Sequence, residues 1–210
     1  MITGLGRRAF TTTTLLASES REMNGSVLEE MARKLQKILR NEVHPQKGAT
    51  IRLLDSFLRT ALGGGSNAYY GTFPADMIPK HLLRTKRFQI IVNTSRTDDP
   101  PEQGGHFVCV EASPTHIVYI DPFGLPCQQE DIVQFILNCG REESFYSDTQ
   151  IQHKSSVFCP LYCSLFVLYY HLKPSWNLDF SSSDLKSNEQ RCIAQIKRLI
   201  RDPRLTPKKF

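Results

Sequence analysis

The sequence predicts an α+β fold in which helices flank a central mixed β-sheet, with an N-terminal helical extension before it. Three observations predict this class: amphipathic helical patterns before residue 62, mixed strand and helix patterns after residue 68, and a long apolar run at 157–170. With 210 residues, 40% of them hydrophobic, the chain can bury one sizeable core. No apolar run is long enough to span a bilayer, so we expect no membrane partner.

The first predicted helix begins at Ser26, which forms a capping box with Glu29. Pro45 ends this helix, because proline lacks the N–H that a helix interior needs. Apolar residues recur on one face at the helical period, and these are Leu28, Met31, Leu35, Ile38 and Leu39.

A second amphipathic helix is predicted near 49–61, and the glycine-rich segment GGGSN at 63–67 breaks it. A segment of this composition is typical of a linker. We therefore divide the chain into an N-terminal extension with two helices, residues 1–65, and a second domain, residues 66–210, that ends in a basic helix and tail.

Strand and helix patterns are mixed in the second domain. The strand patterns are FQIIVNT (88–94), HFVCVEA (106–112), HIVYID (116–121) and SFYSDTQIQ (144–152). The helical patterns are EDIVQFILNC (130–139), the apolar run at 157–170 and an amphipathic segment at about 184–201.

A β-hairpin is predicted where two of these strand patterns are joined by the residues SPT, because so short a connection makes antiparallel neighbours. With the loop centred between Ser113 and Pro114, His106 lies opposite Asp121. A carboxylate beside an imidazole orients the ring and stabilises its charged form. The same pair is also compatible with an ordinary cross-strand contact at the surface, so the hairpin alone does not establish a catalytic site.

Cys159 precedes Pro160 at the start of the apolar run. Proline is favoured at the first position of a helix, where its missing N–H is not needed, so Cys159 is predicted at or near the N-cap. The helix dipole and the free N–H groups there lower the pKa of a thiol, and a nearby His106 would complete the thiolate–imidazolium pair of a cysteine nucleophile. Cys163, one turn further on, is predicted as a core residue. The alternative is that both are buried structural cysteines.

Gln152 lies seven residues before Cys159, at the end of a predicted strand. Its side-chain amide can donate to a developing oxyanion together with the backbone N–H of Cys159. The six cysteines form no Cys-x-x-Cys pair, so no metal site is predicted.

Four stretches of the second domain resemble the adenovirus maturation protease (adenain) family. They are GTFP (71–74), IVNT followed by GGHF (91–94 and 104–107), YIDPFG (119–124) and QHKSSVFCPLYC (152–163). The last stretch is the most specific, because its glutamine and its two cysteines have the family's spacing. The resemblance covers about residues 69–172.

This resemblance implies a papain-like fold of permuted element order and the hydrolysis of peptide bonds through an acyl-enzyme thioester. It assigns His106 as the general base and Asp121 as the acid that orients its ring. It assigns Gln152 as the oxyanion-hole amide and Cys159 as the nucleophile. Cleavage after (Met/Ile/Leu)-x-Gly-Gly or (Met/Ile/Leu)-x-Gly-x, in viral or virus-like protein maturation, is implied as well. Mobile elements of the Maverick/Polinton type carry such proteases and are the source that the resemblance suggests.

The chain departs from the family's pattern at three positions. Pro160 stands where glycine usually follows the nucleophile, and Phe107 stands where tryptophan commonly follows the histidine. Asp121 replaces the glutamate of adenain itself, although aspartate is usual in the related SUMO and ubiquitin-like-protein proteases.

The resemblance also implies activation by a disulfide-linked peptide and by DNA, while the sequence itself requires no cofactor. Cys139 lies near, not at, the position of the family's linking cysteine. Residues 184–210 hold eight lysines and arginines against three acids, which accounts for the whole net charge of +5. A basic segment of this kind favours a polyanion such as DNA, although it is also typical of a solvated surface. The proposed contacts are Lys197, Arg198, Arg201, Arg204, Lys208 and Lys209.

Two alternatives to a maturation protease stay open. The first is a deubiquitinase or SUMO-type isopeptidase of the same clan, which also recognises a Gly-Gly tail. The second is a catalytically inactive, DNA-associated structural protein, and Pro160 is the residue that favours it. An intracellular location is expected, in the host nucleus or virion, and the acid-free, threonine-rich first 18 residues also resemble a mitochondrial transit segment.

The chain itself contains matches to the implied cleavage sites, in ITGLG (2–6) and LGGGS (62–66). We therefore expect that the enzyme trims its own extension after Leu5 or Gly65. Chance matches in glycine-rich linkers are the alternative, since such linkers are also cut readily by other proteases.

Overall fold

The computed structural model describes residues 26–37, 47–63, 68–100, 105–172, 178 and 180–202. The described helices are α1 (26–37), α2 (Lys47–Ala61), α3 (Glu130–Asn138), α4 (Cys159–Leu172) and α5 (Leu185–Leu199). The strands are β1 (Tyr69–Pro74), β2 (Phe88–Asn93), β3 (Phe107–Ala112), β4 (His116–Ile120) and β5 (Glu143–Tyr146). Two short 3₁₀ helices connect β1 to β2, at Ala75–Met77 and Lys80–Arg84. None of the described helices is long and apolar enough to cross a bilayer.

The five strands form one mixed sheet in the order β1-β2-β3-β4-β5. The central pairs β2–β3 and β3–β4 are antiparallel, while the outer pairs β1–β2 and β4–β5 are parallel. Every residue of β2 and β3 is buried, as expected for central strands covered on both faces. The predicted α+β class, with a mixed sheet flanked by helices, is confirmed.

The sheet separates two apolar clusters. On one face, Ile91, Cys109 and Ile120 pack with α1, α2, α4 and α5. On the other face, Ile90, Val108 and neighbouring side chains pack with α3. The apolar length of α4 follows from this arrangement, because seven consecutive residues, 163–169, are buried and leave no solvent-facing stripe.

The two N-terminal helices contribute to the same cluster as α4. Leu35 of α1 and Leu54, Phe57 and Leu58 of α2 are wholly buried in it. An ion pair of 2.7 Å between Arg201 and Glu29 joins the end of α5 to α1. The boundary at residue 65 stays a prediction, but the apolar faces of α1 and α2 are part of the main core.

Two parts of the sheet differ from the predicted elements. β1 is a strand that the sequence patterns did not identify, because YYGTFP lacks regular apolar alternation. The strand predicted at 144–152 exists only as β5, Glu143–Tyr146. Further along the same segment, the N–H groups of Ile151 and Gln152 both donate to the carbonyl of Pro122, at 3.0 and 2.9 Å.

Candidate active site

A histidine and an aspartate meet at the end of the β3–β4 hairpin. His106 immediately precedes β3 and Asp121 immediately follows β4, so both lie at the same edge of the sheet. The Nε2 atom of His106 is 2.6 Å from Oδ1 of Asp121. The aspartate side chain is 5% exposed and that of the histidine 22%, so the carboxylate is hidden while the ring keeps an open side. A buried carboxylate in this position orients the ring.

The register of the hairpin differs from the predicted one by two residues. Val110 pairs with Tyr119 rather than with Ile117, because the loop is centred one residue later, between Pro114 and Thr115. A shift of two residues keeps every side chain on its face of the sheet, whereas a shift of one would have reversed them. The predicted contact of His106 with Asp121 therefore exists, although the two are not directly opposed.

The turn after β4 holds the acid and covers the histidine ring. The backbone N–H of Phe123 donates to Oδ1 of Asp121 at 2.7 Å. The Phe123 ring stacks on the imidazole of His106, with centroids 4.6 Å apart and planes at 23°. Gly124 closes the turn with a φ of +69°, and a Cβ there would lie 2.6 Å from the backbone nitrogen of Gln150. Only glycine meets both requirements.

The backbone of the histidine is held by the segment after β2. Thr94 Oγ1 accepts from the N–H of His106 at 3.2 Å, and the N–H of Thr94 donates to the carbonyl of His106 at 2.8 Å. A Cβ on Gly105 would lie 1.9 Å from Oδ1 of Asn93, so the asparagine amide lies directly against this glycine. The stretches IVNT and GGHF therefore meet in space and place the imidazole.

The predicted nucleophile is the first residue of α4. Cys159 is 7% exposed, and the N–H groups of Leu161 and Tyr162 donate to the carbonyl of Phe158, which is the residue that precedes the helix. Pro160 is thus the second helical residue rather than the first, and its missing N–H is still one that the helix does not need. Within the described residues, the N–H of Cys159 makes no hydrogen bond and is available to a ligand.

The second cysteine of α4 is a core residue. Cys163 is wholly buried, its thiol donates to the carbonyl of Phe107 at 3.3 Å, and burial raises its pKa well above the usual value. A thiol with a raised pKa is a poor nucleophile at neutral pH. This is the arrangement that the sequence predicted for Cys163.

His106 contacts both the acid and the thiol. Burial lowers the pKa of His106, but hydrogen bonds with Asp121 and Cys159 and the charges of both raise it to about 9. The imidazole therefore holds its second proton at neutral pH, between a carboxylate and a sulfur atom. A charged imidazole beside a cysteine is one half of the thiolate–imidazolium pair that cysteine nucleophiles use.

The fourth predicted residue, Gln152, lies in the segment between β5 and α4. It is wholly buried, and its Nε2 donates to the carbonyl of Ser156 at 2.8 Å. Its Oε1 is buried without a hydrogen-bond partner in the described part of the chain. No hydrogen bond joins Gln152 to Cys159 there. Its backbone is joined to the acid's turn through the carbonyl of Pro122.

Sequence reasoning did not assign a role to Thr94, Asn93 or Phe123, which hold the histidine in place. All three lie inside the quoted stretches IVNT and YIDPFG. Thr94 and Phe123 contact His106 itself, while Asn93 packs against the preceding Gly105. These contacts join segments that are distant in the chain or that fold back on each other. The only signal was their position next to residues of chemical interest.

Comparison with known proteins finds partial likenesses. No family description matches the chain, and no curated protein matches it. Among solved structures, it is similar to the ASFV pS273R protease, with 15% identity over 54% of this chain and 44% of that one, at a TM-score of 0.38. It is also similar to ChlaDub1 from Chlamydia trachomatis, with 19% identity, coverage of 62% and 69%, and a TM-score of 0.33.

A third similar structure is AvrA with IP6 and CoA, with 11% identity over 80% of this chain and 66% of that one, at a TM-score of 0.40. The chain spans less than half the length of the ASFV protein. Likenesses of this size show nothing about reaction or substrate, which depend on the site itself.

Proposed function

We propose that this protein is a cysteine endopeptidase in which Cys159 is the nucleophile and His106 the general acid–base. The observation that carries this proposal is the position of His106, whose Nε2 is 2.6 Å from Oδ1 of Asp121 and whose pKa is raised by Asp121 and by the neighbouring Cys159. Asp121 orients the imidazole and stabilises its charge. The resemblance to the adenain family assigns the same residues to the same roles.

The reaction begins with attack of the Cys159 thiolate on the carbonyl carbon of the scissile peptide bond. The free N–H of Cys159 and the amide of Gln152 receive the negative charge that develops on the carbonyl oxygen. The His106 imidazolium gives its proton to the leaving amine, and a thioester remains on Cys159. A water molecule, deprotonated by His106, then attacks the thioester, which releases the carboxyl product and restores the Cys159 thiolate beside the His106 imidazolium.

The substrates are proteins with glycine-containing sites, namely (Leu/Ile/Met)-x-Gly-Gly or (Leu/Ile/Met)-x-Gly-x. This preference rests on the adenain resemblance, as does a role in the maturation of a virus or of a Maverick/Polinton-type element. Location in a host nucleus or virion follows from the same assignment, with mitochondrial targeting as the minor alternative. The implied self-cleavage sites after Leu5 and Gly65 lie outside the described residues.

DNA and a short peptide are proposed as activators. Lys197 and Arg198 are exposed in the last turn of α5, and exposed Arg201 pairs with Glu29. The other proposed DNA contacts, Arg204, Lys208 and Lys209, lie outside the described residues. Sequence-independent affinity that falls steeply with salt would support the DNA proposal.

A deubiquitinase or SUMO-type isopeptidase is the second candidate, because the same four residues would serve it equally well. A fluorogenic Leu-x-Gly-Gly peptide, assayed beside ubiquitin and SUMO conjugates, separates the two. A maturation protease cleaves the peptide and leaves the conjugates intact.

An inactive structural protein is the third candidate, and the position of Pro160 argues against it. Pro160 removes only its own N–H, while the N–H of Cys159 stays available. The deciding experiment is digestion of a peptide library by the wild type and by Cys159→Ala. Hydrolysis that requires Cys159 supports the proposal. Equal digestion by both proteins, or by neither while iodoacetamide fails to label Cys159, rejects it.

A further inference from the structure

A buried asparagine joins α5 to the segment that carries Gln152. Asn188 lies in the first turns of α5 and is wholly buried. Its Nδ2 donates to the carbonyl of Ile151 and to the carbonyl of Ser181, both at 2.8 Å. Its Oδ1 accepts from the N–H of Ser181 at 3.0 Å. Both N–H groups of the Asn188 amide are therefore hydrogen-bonded. These bonds hold Ile151 and Ser181 in one arrangement relative to α5.

The carbonyl that Asn188 holds belongs to the peptide group between Ile151 and Gln152. The N–H of the same peptide group donates to the carbonyl of Pro122 at 2.9 Å. Both polar atoms of this peptide group are therefore hydrogen-bonded, the oxygen to α5 and the N–H to the turn that follows Asp121. Because a peptide group is planar and rigid, holding both atoms fixes its plane. That plane sets the direction in which the side chain of Gln152 leaves the backbone.

The geometry points to Asn188 as a positioning residue for the oxyanion hole. Through the Ile151 carbonyl, it orients the Gln152 amide toward the carbonyl oxygen of the substrate. This inference rests on the proposed function, in which Gln152 stabilises the oxyanion. Asn188 itself touches neither substrate nor the reacting atoms. Its loss lowers catalysis through Gln152 and leaves the pair of Cys159 and His106 intact.

If Asn188 only stabilised the fold, its substitution would reduce hydrolysis, aldehyde binding and alkylation of Cys159 together. A positioning role would reduce the first two and spare the third. Alkylation of Cys159 by iodoacetamide displaces iodide and creates no oxyanion, so it reports the thiolate–imidazolium pair alone. A peptide aldehyde is attacked by the thiolate and becomes a hemithioacetal, whose oxygen takes the position of the oxyanion in the transition state. Its inhibition constant therefore reports the oxyanion hole.

The test uses Asn188→Asp, which keeps the size of the side chain and its acceptor for Ser181 but cannot donate to Ile151. Gln152→Ala is the reference for a lost oxyanion donor. Ile196→Ala is the matched control, because Ile196 is a wholly buried residue of the same helix whose apolar side chain cannot donate a hydrogen bond to the carbonyl of Ile151. Each full-length protein is assayed with a fluorogenic Leu-x-Gly-Gly peptide, a Leu-x-Gly-glycinal aldehyde and iodoacetamide.

We expect Asn188→Asp to lower kcat about 10- to 100-fold while KM changes less than about twofold. The aldehyde inhibition constant rises by a similar factor, the alkylation rate stays within about twofold, and Gln152→Ala gives the same pattern. Ile196→Ala leaves kcat, KM, the aldehyde inhibition constant and the alkylation rate unchanged at temperatures below its unfolding midpoint. Should Asn188→Asp not fold, Asn188→Ala carries the same expectation.

An unchanged kcat in the Asn188 variants overturns the inference, as does a fall of kcat and alkylation rate by one common factor. Both results leave the proposed function standing, because the wild type still hydrolyses the peptide. If the wild type shows no hydrolysis that depends on Cys159, the proposed function is wrong and the inference is wrong with it.

Discussion

The ring of Phe123 lies flat on the imidazole of His106, with ring centroids 4.6 Å apart. The backbone N–H of the same phenylalanine donates to Oδ1 of Asp121, the atom that His106 Nε2 contacts. One residue thus restrains both members of the pair. The position of the imidazole therefore depends on this turn as well as on the strands of the hairpin. We expect small substitutions in the turn to lower activity.

Asp121→Asn should lower kcat by about 100-fold or more, because a neutral amide neither orients the imidazole correctly nor stabilises its charge. KM should change little, since the buried side chain faces away from the substrate. Steady-state kinetics with a fluorogenic peptide measure both constants, and the unfolding midpoint confirms that the variant folds. A variant with kcat within twofold of the wild type would show that Asp121 has no part in the reaction.

Gly124→Ala should disturb the turn and reduce kcat about tenfold or more. The added methyl group meets the backbone of Gln150 and the positive φ strains an alanine. Gly140→Ala is the matched control, since Gly140 also has a positive φ, of 58°, but has nothing within 4 Å of the added carbon. It should lose about 1 kcal/mol of stability and keep its activity. Equal activity losses in both variants would contradict this account.

The free energy of unfolding should fall as the pH rises from neutral through 9. The pKa of folded His106 is raised from 6.5 to about 9, so the folded state holds a proton that the unfolded state has released. This stabilisation is complete below pH 6.5 and is lost as the pH passes through about 9, with an upper limit of about 3 kcal/mol.

Urea unfolding of the wild type and of His106→Gln, between pH 6 and 10, isolates this contribution from that of the other titrating groups. The difference between their unfolding free energies should shrink toward high pH. A difference that is independent of pH, or that grows with pH, would show that the imidazole is not the charged partner.

Iodoacetamide at neutral pH should label Cys159 selectively, and Cys159→Ala should abolish hydrolysis. Cys163→Ala should keep most of the wild-type rate and lose about 1 kcal/mol of stability, because it removes a buried packing contact and the weak hydrogen bond of the thiol to the carbonyl of Phe107. Peptide mapping by mass spectrometry identifies the labelled residue. Loss of hydrolysis in Cys163→Ala with unchanged labelling of Cys159 would give Cys163 a role that the structure does not support.

A chain cut within 62–66 should remain a single particle. The side chains of Leu54, Phe57 and Leu58 are wholly buried against the same core as α4, so separation would expose a large apolar area. Size-exclusion chromatography and native mass spectrometry of the cut protein should show both pieces together. Phe57→Ala should weaken their association. Separation of the wild-type pieces without denaturant would contradict this prediction.

The elements with a strong periodic pattern were predictable from the sequence. α3 begins and ends within one residue of its predicted bounds, because Gln129 caps it by accepting from the N–H of Ile132 and its apolar stripe is regular. α4, Cys159–Leu172, begins and ends two residues later than the apolar run at 157–170, and Pro160 marks its start. The hairpin was predicted with the right faces and the wrong register, since the centre of its loop depends on the hydrogen bonds of Ser113 rather than on composition.

The contacts between distant segments were not predictable from the sequence. Asn93 packs against Gly105, 12 positions away, and Asn188 donates a hydrogen bond to Ile151, 37 positions away. No local pattern encodes such pairs. The end of β5 was missed for the same reason, because no local pattern marks the residue at which its pairing with β4 stops.

The central antiparallel pair has a consequence for the order of assembly. His106 and Asp121 are 15 positions apart on one ribbon, so their encounter requires only a short loop closure. Cys159 comes from a helix much further along the chain and joins them only when that helix docks on the finished sheet, which is the slower kind of event. A newly made chain is therefore expected to bring His106 and Asp121 together before Cys159 reaches them.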